Sequence, residues 1–299
     1  MKICVIKLGA LGDFVLATAA FADIRAHHPN DHITLITTKK MAAFTKNIPF
    51  FDEIVWDDRK PFWNLKYLYN IRKELQGFDM VYDLQTNQRT GLYFLLAGKP
   101  NWSGIAKGCK FPHDNPNRNN MHSLERIAEQ LQNSGVEIKS STDISYAAED
   151  ASAILKEHNV PKDFIAIIPG GSKHRPGKRW PHFISLINEL EKKGQQSVLI
   201  GGADEIELLQ EIAKKTNAIN LSGNNLNELI GILNKAKAII GNDTGPMHIA
   251  AALHKNGITL FGPESDPKLC APKSPNMTIL HNKDFASISP QQVLDILPL

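Results

Sequence analysis

Ile3-Cys4-Val5-Ile6-Lys7-Leu8-Gly9-Ala10-Leu11-Gly12-Asp13 runs from four apolar residues through a turn with two glycines to an acid. Phe14, Ala17, Phe21 and Ile24 then recur at helical spacing. A short unbroken apolar run suits a strand covered on both faces, and the spacing after it suits a helix that covers one of them. The same order returns at Phe164–Ile168, followed by Pro169-Gly170-Gly171-Ser172 and a helix predicted over 181–193. Strand, glycine loop and helix in this order open a parallel α/β unit, and here the pattern predicts two doubly wound halves. In such sheets ligands bind beyond the carboxyl ends of the strands, so two of them imply a cleft.

Outward from these two starts, strands are predicted over 33–37, Glu53–Trp56 and 80–84 in the first half, with helices over 62–76 and 122–134. Residues 101–122 are rich in Asn, Pro and Gly and read as a long surface loop. In the second half, strands are predicted over 197–200, 238–240 and 258–261, and helices over 151–158, 205–215, 246–253 and 291–297. Asn159-Val160-Pro161 reads as the linker. The expected organisation is a domain over 1–158, a second over 159–282 and a terminal segment over 283–299.

The chain has 299 residues, 42% hydrophobic and 22% charged, which is a globular composition long enough for two cores. Its net charge of +3 is too small to argue for nucleic acid as a partner but suits an anionic substrate or membrane surface. Cys4, Cys109 and Cys270 are isolated, so no thiol pair suggests zinc or redox chemistry, and a reducing compartment is favoured. The apolar start, 3–6, is too short for a signal peptide, and no run approaches a membrane span. A cytoplasmic protein is expected, with membrane contact no more than peripheral.

Four stretches carry candidate chemistry. Gly9 and Gly12 can let the backbone approach a ligand, while Asp13 is either a helix N-cap or a general base. The loop is neither GxGxxG nor a P-loop. Lys173, His174, Arg175, Lys178 and Arg179 put five basic or potentially basic side chains in seven positions between a strand and a helix. That run is either a solvated loop or a phosphate site. Gly241-Asn242-Asp243-Thr244-Gly245-Pro246-Met247-His248 joins a strand to a helix whose first turn can receive a diphosphate. There Asp243 would bind a hydroxyl, accept N–H bonds or shape the loop, and His248 is either a core histidine or a ligand contact. Glu205, after Gly201-Gly202, is either a first-turn helix acid or a ribose-binding acid.

Taken together, Leu8-Gly9-Ala10-Leu11-Gly12-Asp13, Tyr82-Asp83-Leu84-Gln85-Thr86-Asn87, Lys178-Arg179-Trp180-Pro181, Gly241–His248 and Phe261-Gly262-Pro263 resemble the ADP-heptose lipopolysaccharide heptosyltransferases of glycosyltransferase family 9. The resemblance spans both halves and implies a GT-B fold of two Rossmann-like domains. It implies an inverting transfer of heptose from ADP-heptose to a lipopolysaccharide inner-core acceptor, and a monomer at the cytoplasmic face of the inner membrane is expected. Asp13 matches the general base and Lys178 the lysine that meets the donor phosphates. Glu205, Asp243, Thr244, Gly245 and His248 match donor-binding positions, and Ser172 is a further candidate on the donor side. Lys7, Gly12, Arg59, Lys60 and Arg118 are candidates for the acceptor side. The last helix, over 291–297, is expected to pack back on the first domain. No metal is expected, since lysine and a helix N-terminus can stabilise the leaving diphosphate. The alternatives are another nucleotide-sugar enzyme on this architecture, or a non-catalytic two-domain binding protein. An NAD-binding titration and turnover of ADP-heptose would separate them.

Overall fold

The computed structural model describes residues 1–171 and 175–297. It divides into two compact units, Met1–Thr142 and Asp143–Leu299. The division falls earlier than the linker expected at Asn159-Val160-Pro161, for a local reason. The Ile144 N–H donates to the Ala252 carbonyl (3.3 Å), and Asn227 Nδ2 donates to Glu149 Oε1 (2.8 Å). A Cβ on Gly231 would lie 2.6 Å from the Glu149 carbonyl oxygen, so the segment over 144–151 is seated directly on the second unit's helices.

The first unit runs β1 (Lys2–Ile6), α1 (Leu11–Leu16), α2 (Thr18–His27), β2 (His32–Thr37), α3 (Ala42–Thr45), β3 (Glu53–Trp56), α4 (Leu65–Glu74), β4 (Met80–Asp83), α5 (Gln88–Leu96), β5 (Asn101–Gly104), β6 (Phe111–Pro112) and α6 (Ser123–Gln132). The strands form one parallel sheet in the order β3-β2-β1-β4-β5-β6. Ile3, Cys4, Val5 and Ile6 are all fully buried because helices cover both faces. Cys4 and Ile6 join Tyr67, Ile71, Tyr93, Phe94 and Trp102 in one apolar layer. Phe14 stacks with Phe44 (5.6 Å) and meets Phe21 edge-on (5.4 Å) among the remaining buried side chains of α1, α2 and α3.

The second unit runs α7 (Ser152–Glu157), β7 (Phe164–Ile168), α8 (Phe183–Lys192), β8 (Gln196–Gly201), α9 (Ile206–Ala213), β9 (Ile219–Ser222), α10 (Leu226–Lys235), β10 (Ala238–Asn242), α11 (Gly245–Ala252), β11 (Gly257–Phe261), α12 (Pro267–Cys270), β12 (Met277–His281) and α13 (Pro290–Asp295). Its sheet is again wholly parallel, in the order β12-β11-β10-β7-β8-β9. This is the same winding as in the first unit. Each sheet therefore has one place where the crossovers leave in opposite directions: between β1 and β4, and between β7 and β10.

One expectation is corrected, and the structure adds further elements. The stretch over 101–122 is not loop from its start, because β5 and β6 extend the sheet. Trp102 there is fully buried, edge-on to Phe94 at 5.4 Å, but one aromatic in Asn-Trp-Ser-Gly makes no readable apolar run. The helices α5 and α10 and the strands β9 and β12 stand beside the predicted elements. Finally, the apolar face of α13 is covered within the second unit. Val293, Leu294 and Leu297 are buried in the second unit's own core with Trp180, Phe183, Leu186 and Leu190. The approach to that helix is tied down as well, since Trp180 Nε1 donates to the Ile288 carbonyl (2.9 Å) and His182 Nε2 to the Ala286 carbonyl (2.8 Å).

Candidate active site

At the first switch point Ile6 of β1 lies in register with Asp83 of β4, so the loops that follow both strands meet. The Leu84 N–H donates to the Ile6 carbonyl (3.0 Å), and the Leu8 N–H donates to Gln85 Oε1 (2.8 Å). Gly9 has φ +120°, a conformation that other residues adopt only with strain. Beyond it α1 begins, with Ala10 at the N-cap position and no side-chain cap. Asp13 therefore does not cap this helix. It lies in the first turn, one residue past Gly12, where the peptide dipoles favour an acid.

Asp13 lines a cavity of about 140 Å³ together with Lys7, Gln85, Thr86, Arg118 and Arg126. Lys7 is buried, and its Nζ donates to the Leu84 carbonyl (3.0 Å). Burial lowers its pKa, against the pull of Asp13 and Asp83 and with the push of Arg126 and Arg118. Arg118 donates through Nη2 to Thr86 Oγ1 (2.6 Å) and through Nε to His113 Nδ1 (3.1 Å). Its own pKa is lowered by burial and by Arg126. Arg126 Nη2 donates to Ser123 Oγ (2.9 Å). Three cations thus crowd one small space, and an anion entering it would relieve their repulsion.

Behind the cavity Asp83 is wholly buried and accepts the N–H groups of Gln85 (3.1 Å) and Thr86 (2.9 Å). Burial lifts its carboxyl to about 6, opposed by those hydrogen bonds and by Lys7. The two bonds hold Thr86 in the left-handed region, at φ +45°, and Thr86 in turn receives Arg118.

Arg59 and Lys60 do not line this cavity. They are exposed on the loop after β3, with Arg59 at φ +53°. Arg89 holds that loop by donating to the carbonyls of Arg59 (3.3 Å) and Lys60 (3.0 Å) while its guanidinium lies 4.4 Å over the Phe62 ring. Asp57 accepts from the hydroxyls of Tyr67 (2.6 Å) and Tyr93 (2.5 Å) beneath it. Burial and those bonds to Asp57 push Tyr67 up to about 12, and Tyr93 is raised in the same way.

At the second switch point Asn242 ends β10 with its side chain buried and fully used. Its Nδ2 donates to the carbonyls of Pro169 (2.9 Å) and Gly170 (3.0 Å), and its Oδ1 accepts the Trp180 N–H (3.1 Å). Both ends of the basic loop are so fixed to β10. Within that frame Lys178 Nζ meets Asp243 Oδ2 at 2.5 Å. Asp243 thus holds a lysine, a role not among those considered for it. The Gly177 N–H donates to Glu264 Oε1 (3.1 Å). Ser172, Lys173 and His174 lie outside the described residues, and Arg175 is exposed.

Thr244 occupies the N-cap position of α11 without capping it, and its hydroxyl donates instead to the Asn242 carbonyl (3.3 Å). Gly245 begins the helix with Pro246 in its first turn, and His248 is buried in the next. Glu205 folds back to accept the Gly202 N–H (3.0 Å) in the turn that leads into α9. Its carboxylate stands over Gly170, where a Cβ would lie 1.8 Å from Oε1. Glu205, Lys178, Asp243 and the start of α11 therefore gather at the carboxyl ends of β7, β8 and β10.

Sequence reasoning brought Lys7, Asp13 and Arg118 forward, and the structure groups them. It passed over Arg126, Asp83, Gln85, Thr86, Asn242 and Glu264. Asp83, Gln85, Thr86 and Asn242 lie at or just past strand ends, where nothing in their residue types marks a role, and Arg126 lies on α6. Among the described residues, no three His, Cys, Asp or Glu side chains are grouped as metal ligands would be, and no helix is long and apolar enough to cross a membrane.

The family model of glycosyltransferase family 9 (heptosyltransferase) matches residues 68–294. Lipooligosaccharide heptosyltransferase 2 of Haemophilus ducreyi is 24% identical, over 94% of this chain and 88% of that protein. The crystal structure of a family 9 glycosyl transferase from Veillonella parvula superposes with a TM-score of 0.88 at 24% identity, covering 98% of this chain and 95% of that one. The structure of the E. coli ADP-heptose lipopolysaccharide heptosyltransferase II gives 0.82 at 23% identity, covering 99% and 97%. These likenesses are of GT-B type.

Proposed function

The chain belongs to glycosyltransferase family 9, the heptosyltransferases, and we propose that it moves heptose from ADP-heptose to an anionic sugar of a lipopolysaccharide inner core. The observation that carries this reading is Asp13 sharing one cavity with Lys7, Arg118 and Arg126. A carboxylate among three cations suits an acceptor that brings both a hydroxyl and a negative charge, as sugar acids and sugar phosphates do.

In this reading the acceptor hydroxyl attacks the anomeric carbon of the donor with inversion. The new C–O bond forms as the bond to the diphosphate breaks, Asp13 takes the hydroxyl proton, and ADP leaves. Lys178 and the uncapped first turn of α11 meet the charge that develops on the diphosphate, so no metal is required. Thr244, Gly245 and His248 border the diphosphate and sugar, Glu205 takes the ribose hydroxyls, and Asp243 keeps Lys178 in place. Lys7 and Arg118, joined by Arg126, hold the acceptor's anionic group. The work is done at the cytoplasmic face of the inner membrane.

The test is direct transfer. Incubation with ADP-heptose and inner-core acceptors of graded length should add one heptose to an acceptor of one length, read by mass spectrometry. An enzyme that leaves every such acceptor unmodified yet consumes a different nucleotide sugar would overturn the reading.

A further inference from the structure

The stretch over 56–74 runs from the end of β3 through a turn and along α4. Eight large apolar side chains are exposed among the described residues, and four of them, Trp56, Trp63, Leu65 and Tyr69, fall in this stretch. Trp63 is 85% exposed and Leu65 is 77% exposed. These side chains do not hold α4 in place. Tyr67 and Ile71 do so by facing the core, and Asn64 caps the helix by accepting the Tyr67 N–H at 2.9 Å. Leu65 and Tyr69 are four residues apart and so share the opposite, outward face. Apolar side chains gathered on a surface in this way mark an interaction site.

The charges around the patch select the partner. Arg59, Lys60, Lys66, Arg72 and Lys73 are exposed, against the exposed acids Asp58 and Glu74. Lys60 is within 3.6 Å of Asp58, and Lys73 Nζ lies 4.7 Å over the Tyr69 ring. The whole chain carries only +3, so this stretch holds much of its surplus. A second copy docked here would bring the same cations face to face, which like-charge repulsion opposes. Trp, Tyr and Leu flanked by Lys and Arg fit the boundary between acyl chains and anionic headgroups.

We propose that the exposed surface of α4 and of the turn before it, with Trp63, Leu65 and Tyr69 flanked by Lys66, Arg72 and Lys73, docks on an anionic lipid bilayer. The proposal draws its purpose from the reading of the acceptor as a membrane glycolipid, but vesicle binding is measured without any transfer. The full chain should float with phosphatidylcholine vesicles that contain about 30% phosphatidylglycerol, not with phosphatidylcholine alone, and salt near 0.5 M should release it. Leu65→Ser with Tyr69→Ser should weaken vesicle binding by about tenfold or more. Lys66→Glu with Lys73→Glu should weaken it further, at roughly fivefold for each cation lost. All four positions are exposed, so unchanged thermal midpoints are expected, as is unchanged transfer to a water-soluble acceptor fragment. No binding to the anionic vesicles, binding that both double variants keep, or a dimer that the same substitutions dissolve would each overturn the proposal.

Discussion

Lys178 Nζ and Asp243 Oδ2 stand 2.5 Å apart, with the two side chains 15% and 7% exposed. An ammonium has three donors and one goes to Asp243, so the lysine is held while donors remain for a phosphate. Lys178→Ala should weaken ADP binding by about 10- to 150-fold, the ~1.5–3 kcal/mol of a charge-assisted contact. It should also lower the thermal midpoint, because Asp243 loses its counter-charge in a largely buried place. Asp243→Asn keeps the cation and should weaken ADP less. Calorimetry showing equal ADP affinity in wild type and Lys178→Ala would refute the assignment.

Asp13 sits in the first turn of α1 without capping it, so Asp13→Asn has no cap to break. The variant should fold and bind ADP as the wild type does, while turnover falls by ~10²-fold or more. Full turnover in the variant would leave Asp13 with a dipole role only.

Burial holds the Asp83 carboxyl up to about 6, against ~3.9 in an unfolded chain. The raised value means that folding favours the protonated acid. Its contribution is fullest below pH ~4 and is lost as pH rises through about 6. Asn at 83 can still accept from the Gln85 and Thr86 N–H groups but never ionises. Asp83→Asn should therefore gain on the wild type as pH rises from ~4.5 to ~8, by up to about 3 kcal/mol. Thermal or urea unfolding across that range checks this, and a difference that stays flat with pH would mean Asp83 titrates normally.

A methyl group on Gly170 would collide with the Glu205 carboxylate, the movable end of a flexible side chain. Gly170→Ala should thus displace Glu205 and leave the sheet intact. If Glu205 serves the ribose, Gly170→Ala and Glu205→Ala should both weaken ADP and leave inorganic pyrophosphate unaffected. Equal losses for the two ligands would instead place the damage in the phosphate loop.

Both sheets were readable where their strands are central, because Ile3–Ile6 and Phe164–Ile168 are buried on both sides and so are apolar throughout. The periphery was not readable. β6 is two residues long, and β5 depends on the lone Trp102. In the site, Lys7 and Asp13 stood out beside the end of β1, and Arg118 by its charge alone in the stretch over 101–122. Asn242 did not, since an amide that braces three backbone groups looks in a sequence like any loop asparagine. The role of Asp243 escaped for a similar reason: its partner Lys178 is sixty-five residues away. The apolar face of the last helix announces that it will be covered, not by what, and Val293 and Leu294 join the second unit's core.

Since every strand pairing in the two sheets is parallel, no neighbouring strands can be closed by a hairpin. The pairing of β1 with β4 joins Ile3 to Met80, and the cavity of Asp13 is completed only by Arg118 and Arg126. On the ribosome, the opening strand and its loop must therefore wait for more than a hundred further residues before their cations have a place to gather. Loop closure over such distances makes refolding slow, in milliseconds to seconds rather than microseconds. The waiting chain carries the apolar run 3–6 uncovered, so during synthesis the stretch that decides the fold is also one open to aggregation.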